Sequence, residues 1–281
     1  MLRPACLGKV CVKVMRIEPV IKWSGSKRSQ AQEIIKRFDK YDCYYEPFLG
    51  GGSVMYAVNP STAVCGDICE PLIGFWKMVQ NSPQELINFY SEEWNRLQRD
   101  GYEVYYDIRS RFNKEKSPLD LLFLSRTCVN GLIRFNAEGE FNNSFHHTRK
   151  GIDPKRFEKI VCEWNVRVKN VDFVCGDYRE TTQTATKNDI IYLDPPYENT
   201  KGRYYGTIDY DEFYKYLDDL NKKGIRYVLS FDGSRGDKEY ETGIPKELYV
   251  KKFLLASGNS SFKKVMDKSN EQVYEALYLN W

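Results

Sequence analysis

A short apolar run, Ile190-Ile191-Tyr192-Leu193, meets an acid and two consecutive prolines, Asp194-Pro195-Pro196, with Tyr197 behind them. Proline holds φ at about −65° and lacks an amide donor, so a strand through this run cannot continue as sheet beyond Leu193. The segment that follows is held stiffly at the strand's carboxyl end, where open α/β sheets bind their ligands. Asp194 and the Pro195 carbonyl then offer neighbouring acceptors, with no donor from the two prolines to compete. Such a corner suits an amino group, which has two hydrogens to donate, and Tyr197 adds an aromatic face for a planar base.

The segments around this corner predict an α/β sheet. Ala31, Ile34, Ile35 and Phe38 follow the spacing of one helical face. DCYYEP reads as a short aromatic strand entering the glycine turn Gly50-Gly51-Gly52, with a helix from Ser53 and a second strand near Thr62–Cys65 that ends at Gly66-Asp67. Further strands are expected at Val171–Cys175, Ile190–Leu193, 226–231, near 249–255 and at 272–279. A helix from about Asp211 should bury Phe213, Tyr216, Leu217 and Leu220. Strands separated by helices favour an α/β sheet, with the last strands open to antiparallel pairing.

Residues 75–155 change character, mixing charged and aromatic residues in helical patterns such as SPQELINFYSEEW. Leu132–Phe135 and Glu140–Phe145 flank Asn136-Ala137-Glu138-Gly139 as the arms of a hairpin would. The expected organisation is a sheet domain from 15–75 and 156–281, interrupted by a mostly helical insertion at 76–155 that carries the hairpin.

Glycines after a first strand let backbone approach a ligand, and an acid closing the second strand accepts hydrogen bonds from ribose hydroxyls. Gly50–Gly52 and Asp67 fit that pattern, but the dinucleotide fingerprint and the phosphate-loop lysine are both missing. The ligand implied is an adenosine derivative bound through something other than phosphate. The formal charge of +3 over 281 residues means that affinity for a polyanion must come from clustered charge. Arg149, Lys150, Lys155 and Arg156 are candidate phosphate contacts.

The 8 cysteines show no Cys-x-x-Cys spacing and read as buried, reduced thiols of a cytoplasmic protein. His146-His147 lies in a polar loop without other ligands nearby and reads as surface or phosphate-contacting, so no metal is expected. The opening segment is broken by Arg3, Lys9 and Lys13, no stretch suits a bilayer, and Met15 is a candidate functional start.

Asp194-Pro195-Pro196-Tyr197, with Glu46-Pro47-Phe48-Leu49-Gly50-Gly51-Gly52-Ser53-Val54 and Lys22-Trp23-Ser24-Gly25-Ser26-Lys27 upstream, resembles the Dam-type DNA adenine-N6 methyltransferases. The order of these motifs is similar to that of the alpha group of amino-methyltransferases. The resemblance covers about residues 20–200. It implies a Rossmann-like, S-adenosylmethionine-dependent methyltransferase sheet with an inserted DNA target-recognition domain. S-adenosyl-L-methionine would lie over Phe48, Gly50 and Gly51, with Asp67 on its ribose, Asp177 and Tyr178 near its adenine, and Trp23 and Lys27 near its methionine portion. Asp194 would orient the substrate amine beside the sulfonium methyl, with Pro195, Pro196 and Tyr197 completing the catalytic corner.

The resemblance further implies that Asn130–Phe145 reads base edges in double-stranded DNA. Asn130, Leu132, Arg134, Asn136, Asn142 and Ser144 are the positions concerned, and Arg134 suits a bidentate guanine contact. Val129 stands where an aromatic wedge is common, and Ser144 where GATC-specific members carry proline, so the target is GATC or a related site. An adenine must leave the duplex to reach the corner. Cytosine-N4 methylation is the chemical alternative, a catalytically silent nucleic-acid-binding protein is the other, and a cognate restriction endonuclease is a candidate partner.

Overall fold

Short, largely buried strands alternate with helices that bury one face, and that alternation produces a layered sheet. The computed structural model describes residues 18–196, 208–231, 234–235, 238–239, 244–259 and 272–281. Tyr197, the leader through residue 17 and most of the ASGNSSFKK stretch lie outside the described residues.

The chain enters through helix α1 (Ala31–Ile35) into strand β1 (Tyr44–Glu46), helix α2 (Ser53–Val58) and strand β2 (Ala63–Asp67). Helices α3 (Glu70–Asn81), α4 (Pro83–Asp100), α5 (Glu103–Glu115), α6 (Pro118–Thr127) and α7 (Pro154–Arg167) follow. Strand β3 (Val171–Cys175), helix α8 (Tyr178–Thr181), strand β4 (Ile190–Leu193), helix α9 (Tyr210–Lys222) and strand β5 (Arg226–Phe231) resume the alternation. The two-residue strands β6 (Ser234–Arg235) and β7 (Lys238–Glu239), then β8 (Lys251–Asn259) and β9 (Gln272–Leu279), complete it.

Strands β3, β2, β1, β4 and β5 lie side by side and parallel, and β9 joins β5 antiparallel. β8 pairs antiparallel with β9, which fulfils the expected antiparallel end. The strand order reverses between β1 and β4, so a crevice opens at their carboxyl ends, and Glu46, Asp67 and Asp194 all arrive there. β4 is buried along its whole length, as a parallel strand covered on both faces must be.

The helix of the first motif is shorter than its pattern suggests: it covers five residues and ends before Phe38, which packs against the core from a turn. α3 through α6 bring Trp76, Tyr90, Tyr105, Phe112 and Phe123 into one buried cluster. α4, α5 and α6 each end in a basic turn that matches the negative end of the helix dipole.

The expected hairpin forms as an irregular loop. Its arms meet only at the isolated bridges Phe135–Phe141 and Cys128–Phe145, and Asn142 N donates to the Arg134 carbonyl at 3.0 Å. Phe135 and Phe141 are buried edge to face, and Asn113 accepts from Phe141 N at 2.8 Å, so packing on α5 substitutes for a longer ladder.

The thiol expectation needs correction: Cys65, Cys69 and Cys128 are buried, but Cys162 and Cys175 are exposed and Cys43 is half-buried. Cys162 sits on the outer face of the amphipathic α7, and Cys175 closes β3 on its solvent side. No helix among the described residues is long and apolar enough to cross a membrane.

Candidate active site

The glycine turn is built by close packing. Gly50 has φ +49°, and a Cβ there would lie 2.7 Å from Trp23 Cδ1. Gly52 has φ +63° with Trp76 ring carbons within 3.0–3.1 Å of a Cβ. Only glycine satisfies both the left-handed backbone and the contact. Trp76 Nε1 donates to the Gly50 carbonyl at 3.0 Å, and Leu49 N donates to the Gly66 carbonyl at 2.9 Å, which ties the turn to β2. Ser26 and Ser53 share a hydrogen bond of 2.8 Å and join the first motif to the start of α2.

Asp67, at the end of β2, accepts from Cys69 N at 3.0 Å and from Gly50 N at 3.1 Å. Burial pushes its carboxyl up to about 6, against the pull of those backbone donors. Each carboxylate oxygen can accept more than one hydrogen bond, so the acid both fixes the turn and retains acceptor capacity toward the crevice. Ile68, beside it, is 45% exposed and gives the crevice an apolar wall.

Asp177 caps α8, accepting from Arg179 N at 2.8 Å and Glu180 N at 3.1 Å, and pairs with the Arg179 guanidinium at 2.9 Å. Burial opposes its ionisation, but the backbone and guanidinium donors outweigh it and hold the carboxyl below its usual range. Tyr178 stacks on Phe48 with ring centroids 5.7 Å apart and meets Phe213 edge-on at 5.4 Å.

Three ionisable residues that are far apart in the sequence meet below the Asp194 corner. Lys27 Nζ lies 2.7 Å from Asp194 Oδ1 and 2.9 Å from Glu275 Oε1, a residue of β9. Burial disfavours the ammonium, yet Asp194 and Glu275 outweigh it and hold the lysine protonated, well above its ordinary range. Pro196 is fixed from α9, since Tyr210 donates its hydroxyl to the Pro196 carbonyl at 2.5 Å.

Glu46 at the end of β1 is 3% exposed and accepts the Tyr44 hydroxyl at 2.7 Å. Burial pushes its carboxyl from the ordinary 4.5 up to about 8. Between those values the native chain keeps a proton that the unfolded chain has lost, so folding stability falls as pH rises across that window. Glu46→Gln should therefore lose less stability than the unsubstituted protein between pH of about 5 and about 8.5, the gap widening to a few kcal/mol. Thermal melts of both proteins across that range check this; parallel curves would refute a buried, protonated Glu46.

The glycine turn, Lys27, Glu46, Asp67, Asp177, Tyr178 and Asp194 line one pocket of ≈ 310 Å³. Of the residues expected in it, Trp23, Lys27, Phe48, Gly50, Gly51, Asp67, Asp177, Tyr178, Asp194, Pro195 and Pro196 are all there. Glu46, Ile68 and Ser26 also line it and were missed. Glu46 stood in the quoted motif but was not weighed as a site residue, whereas Glu275 lies in an alternating strand that carries no site signal of its own. Among the described residues, no three His, Cys, Asp or Glu side chains are grouped to hold a metal.

The second group of expected residues lies apart, on the irregular loop. Leu132 is 48% exposed and Arg134 is also exposed, while Ile133 and Phe135 between and after them are buried. Arg134 Nε donates to Asn142 Oδ1 at 3.0 Å, and Ser144 is exposed on the opposite arm. Asn130 adopts φ 57° at the base of the loop.

Asn136 is used within the turn: its carbonyl oxygen accepts Glu140 N at 2.8 Å and its amide donates to Glu140 Oε2 at 3.1 Å. Asn143, unforeseen in the sequence, donates to the Val129 and Leu132 carbonyls at 3.0 and 2.9 Å and clasps the two arms. Arg149 and Lys150 are exposed, and His146 Nδ1 accepts Arg149 N at 3.1 Å, which gives this histidine a turn-forming role.

The profile of a family described as D12 class N6 adenine-specific DNA methyltransferase matches residues 23–269. The type II methyltransferase M.MjaIII of Methanocaldococcus jannaschii is 29% identical over 303 residues, covering 95% of this chain and 100% of that protein. The DNA adenine methylase of Serratia marcescens is 31% identical over 185 residues, 63% of this chain and 66% of that protein. That of Vibrio cholerae is 32% identical over 181 residues, 63% of this chain and 64% of that protein. The alignments thus span the whole of the first relative and about two thirds of the methylases.

Proposed function

Because the chain belongs to the D12 class of N6 adenine-specific DNA methyltransferases, we propose that the crevice at the strand ends binds S-adenosyl-L-methionine and presents a flipped-out adenine to it at Asp194. The observation that carries this reading is the placement of Asp67, the glycine turn and the Asp194-Pro195 corner on one pocket at the sheet's reversal point. The pocket suits the cofactor: a buried acid at the end of β2 for ribose hydroxyls, Ile68 and Phe48 as apolar walls for a purine, and a turn that a single Cβ would fill. When bound, S-adenosyl-L-methionine supplies an activated methyl on a sulfonium.

The residues of this chain orient and exclude. The adenine amine is a weak nucleophile because its lone pair is delocalised into the ring. Hydrogen bonds from its two hydrogens to the Asp194 carboxylate and the Pro195 carbonyl favour a pyramidal nitrogen and aim the lone pair into the pocket. Two prolines keep other backbone donors from the corner. Direct displacement by the amine lone pair needs no covalent enzyme intermediate. Tyr197 is proposed to stack on the extruded base, which offsets an unstacking cost of roughly a few kcal/mol.

Residues 76–155 are proposed to form the target-recognition unit, with 15–75 and 156–281 as the catalytic domain. Leu132, Arg134 and Ser144 are exposed on the loop, Asn142 is half-buried against Arg134, and these four are proposed to read base edges, with Asn130 and Asn136 shaping the loop. Arg149 and Lys150 would touch phosphates. The target is proposed as GATC or a related site, and the full-length likeness to a type II methyltransferase supports looking for a partner endonuclease.

Mapping modified positions after treatment of unmethylated genomic DNA tests the reading. Methylation confined to one short motif is expected, and modification scattered over unrelated sequences would refute a site-specific enzyme. Arg134→Ala should relax discrimination at one position by about 1–3 kcal/mol and leave cofactor affinity unchanged. An unaltered site preference in competition assays would remove this loop from recognition.

A further inference from the structure

Lys27 is 7% exposed, and its ammonium bridges two carboxylates, Asp194 at 2.7 Å and Glu275 at 2.9 Å. Building on the proposed role of Asp194, we infer that Glu275 is a positioning residue: it holds the Lys27 ammonium so that Asp194 can exchange that ion pair for the amine of the target base.

Asp194 lines the pocket and, in the proposed role, must accept a hydrogen from the incoming amine, yet one of its oxygens already faces Lys27. A buried ammonium stripped of its carboxylate is strongly destabilised, so a lone Lys27–Asp194 pair would resist the exchange. Glu275 changes that balance. Its carboxylate comes from β9, it is not among the residues that line the pocket, and its side chain is 13% exposed. The lysine also has the Gly25 carbonyl at 3.4 Å. With these partners the ammonium stays compensated when the Asp194 contact lengthens.

Among the described residues, the Lys27 ammonium faces two carboxylates, Asp194 and Glu275. With glutamine at position 275, Lys27 would lose that carboxylate and would compete with the amine for Asp194. The lysine is thus kept close enough to fix the acceptor's orientation without occupying it permanently. Glu275 touches neither the substrate nor the reacting atoms and acts through Lys27.

The test is single-turnover methylation of a duplex bearing the mapped site, at saturating DNA and S-adenosyl-L-methionine, for the unsubstituted enzyme, Glu275→Gln, Glu275→Asp, Lys27→Met and the double variant Lys27→Met/Glu275→Gln. Glu275→Gln should slow transfer by at least about tenfold, with the Kd for DNA and for cofactor held within about twofold and the melting temperature retained. Glu275→Asp should recover part of the rate, and the double variant should be no slower than Lys27→Met alone.

An unsubstituted rate in Glu275→Gln would overturn the inference. So would a full additive loss on the Lys27→Met background, or a defect that tracks lost cofactor affinity and a lowered melting temperature. A different failure, no methyl transfer by the unsubstituted protein, would overturn the functional reading on which the inference rests.

Discussion

Asp194→Ala is expected to lower the single-turnover rate of methyl transfer by about a hundred- to a thousandfold. In the proposed mechanism the carboxylate is the acceptor that orients the substrate amine, and its loss would leave the Pro195 carbonyl as the remaining acceptor of the corner. The loop over 130–145, proposed to read bases, is clasped by Asn143 through hydrogen bonds to the Val129 and Leu132 carbonyls that do not involve the corner. DNA affinity in a gel-shift or anisotropy titration should therefore change little. Removing Asp194 also deprives Lys27 of one of the two carboxylates it pairs with among the described residues, and Glu275 would compensate in part. Asp194→Asn, which preserves shape but carries an amide donor toward the amine, should be similarly inactive. Transfer at the normal rate by either variant would place the chemistry elsewhere.

Asp67→Ala should raise the Kd for S-adenosyl-L-methionine by about a hundredfold, since hydrogen bonds to a charged group are worth about 1.5–3 kcal/mol each. Asp67 has two connected roles: its carboxylate holds Gly50 N and Cys69 N, and it faces the crevice where a ribose would lie. Its loss would free the glycine turn as well as remove the proposed ribose acceptor. The expected signature is a raised KM for the cofactor with much of kcat restored at saturation. Calorimetric titration measures the affinity directly, and an unchanged Kd would contradict the placement of the ribose.

Much of the sheet was legible because strand ends carry strong punctuation. Ile190–Leu193 ends at two prolines and β2 ends at Gly66-Asp67, and both boundaries fall where the sequence placed them or within two residues. The pocket was legible for the same reason: glycines and acids at strand ends are few, and the sheet brings them together. The hairpin was overstated because aromatic alternation also fits loop arms that bury alternate residues against a helix, which is what Phe135 and Phe141 do beside α5. The exposed thiols of Cys162 and Cys175 were misjudged because cysteine's general preference for burial says nothing about the outer face of a given helix or strand. Glu275 could not be found from pattern, since its meeting with Lys27 depends on β9 pairing beside β5.

The most direct measurement is nucleoside analysis of unmethylated DNA after incubation with the protein and methyl-labelled S-adenosyl-L-methionine. The account predicts that the label is recovered as N6-methyladenine. Recovery as N4-methylcytosine, or no label in DNA from a protein that binds the cofactor, would contradict it.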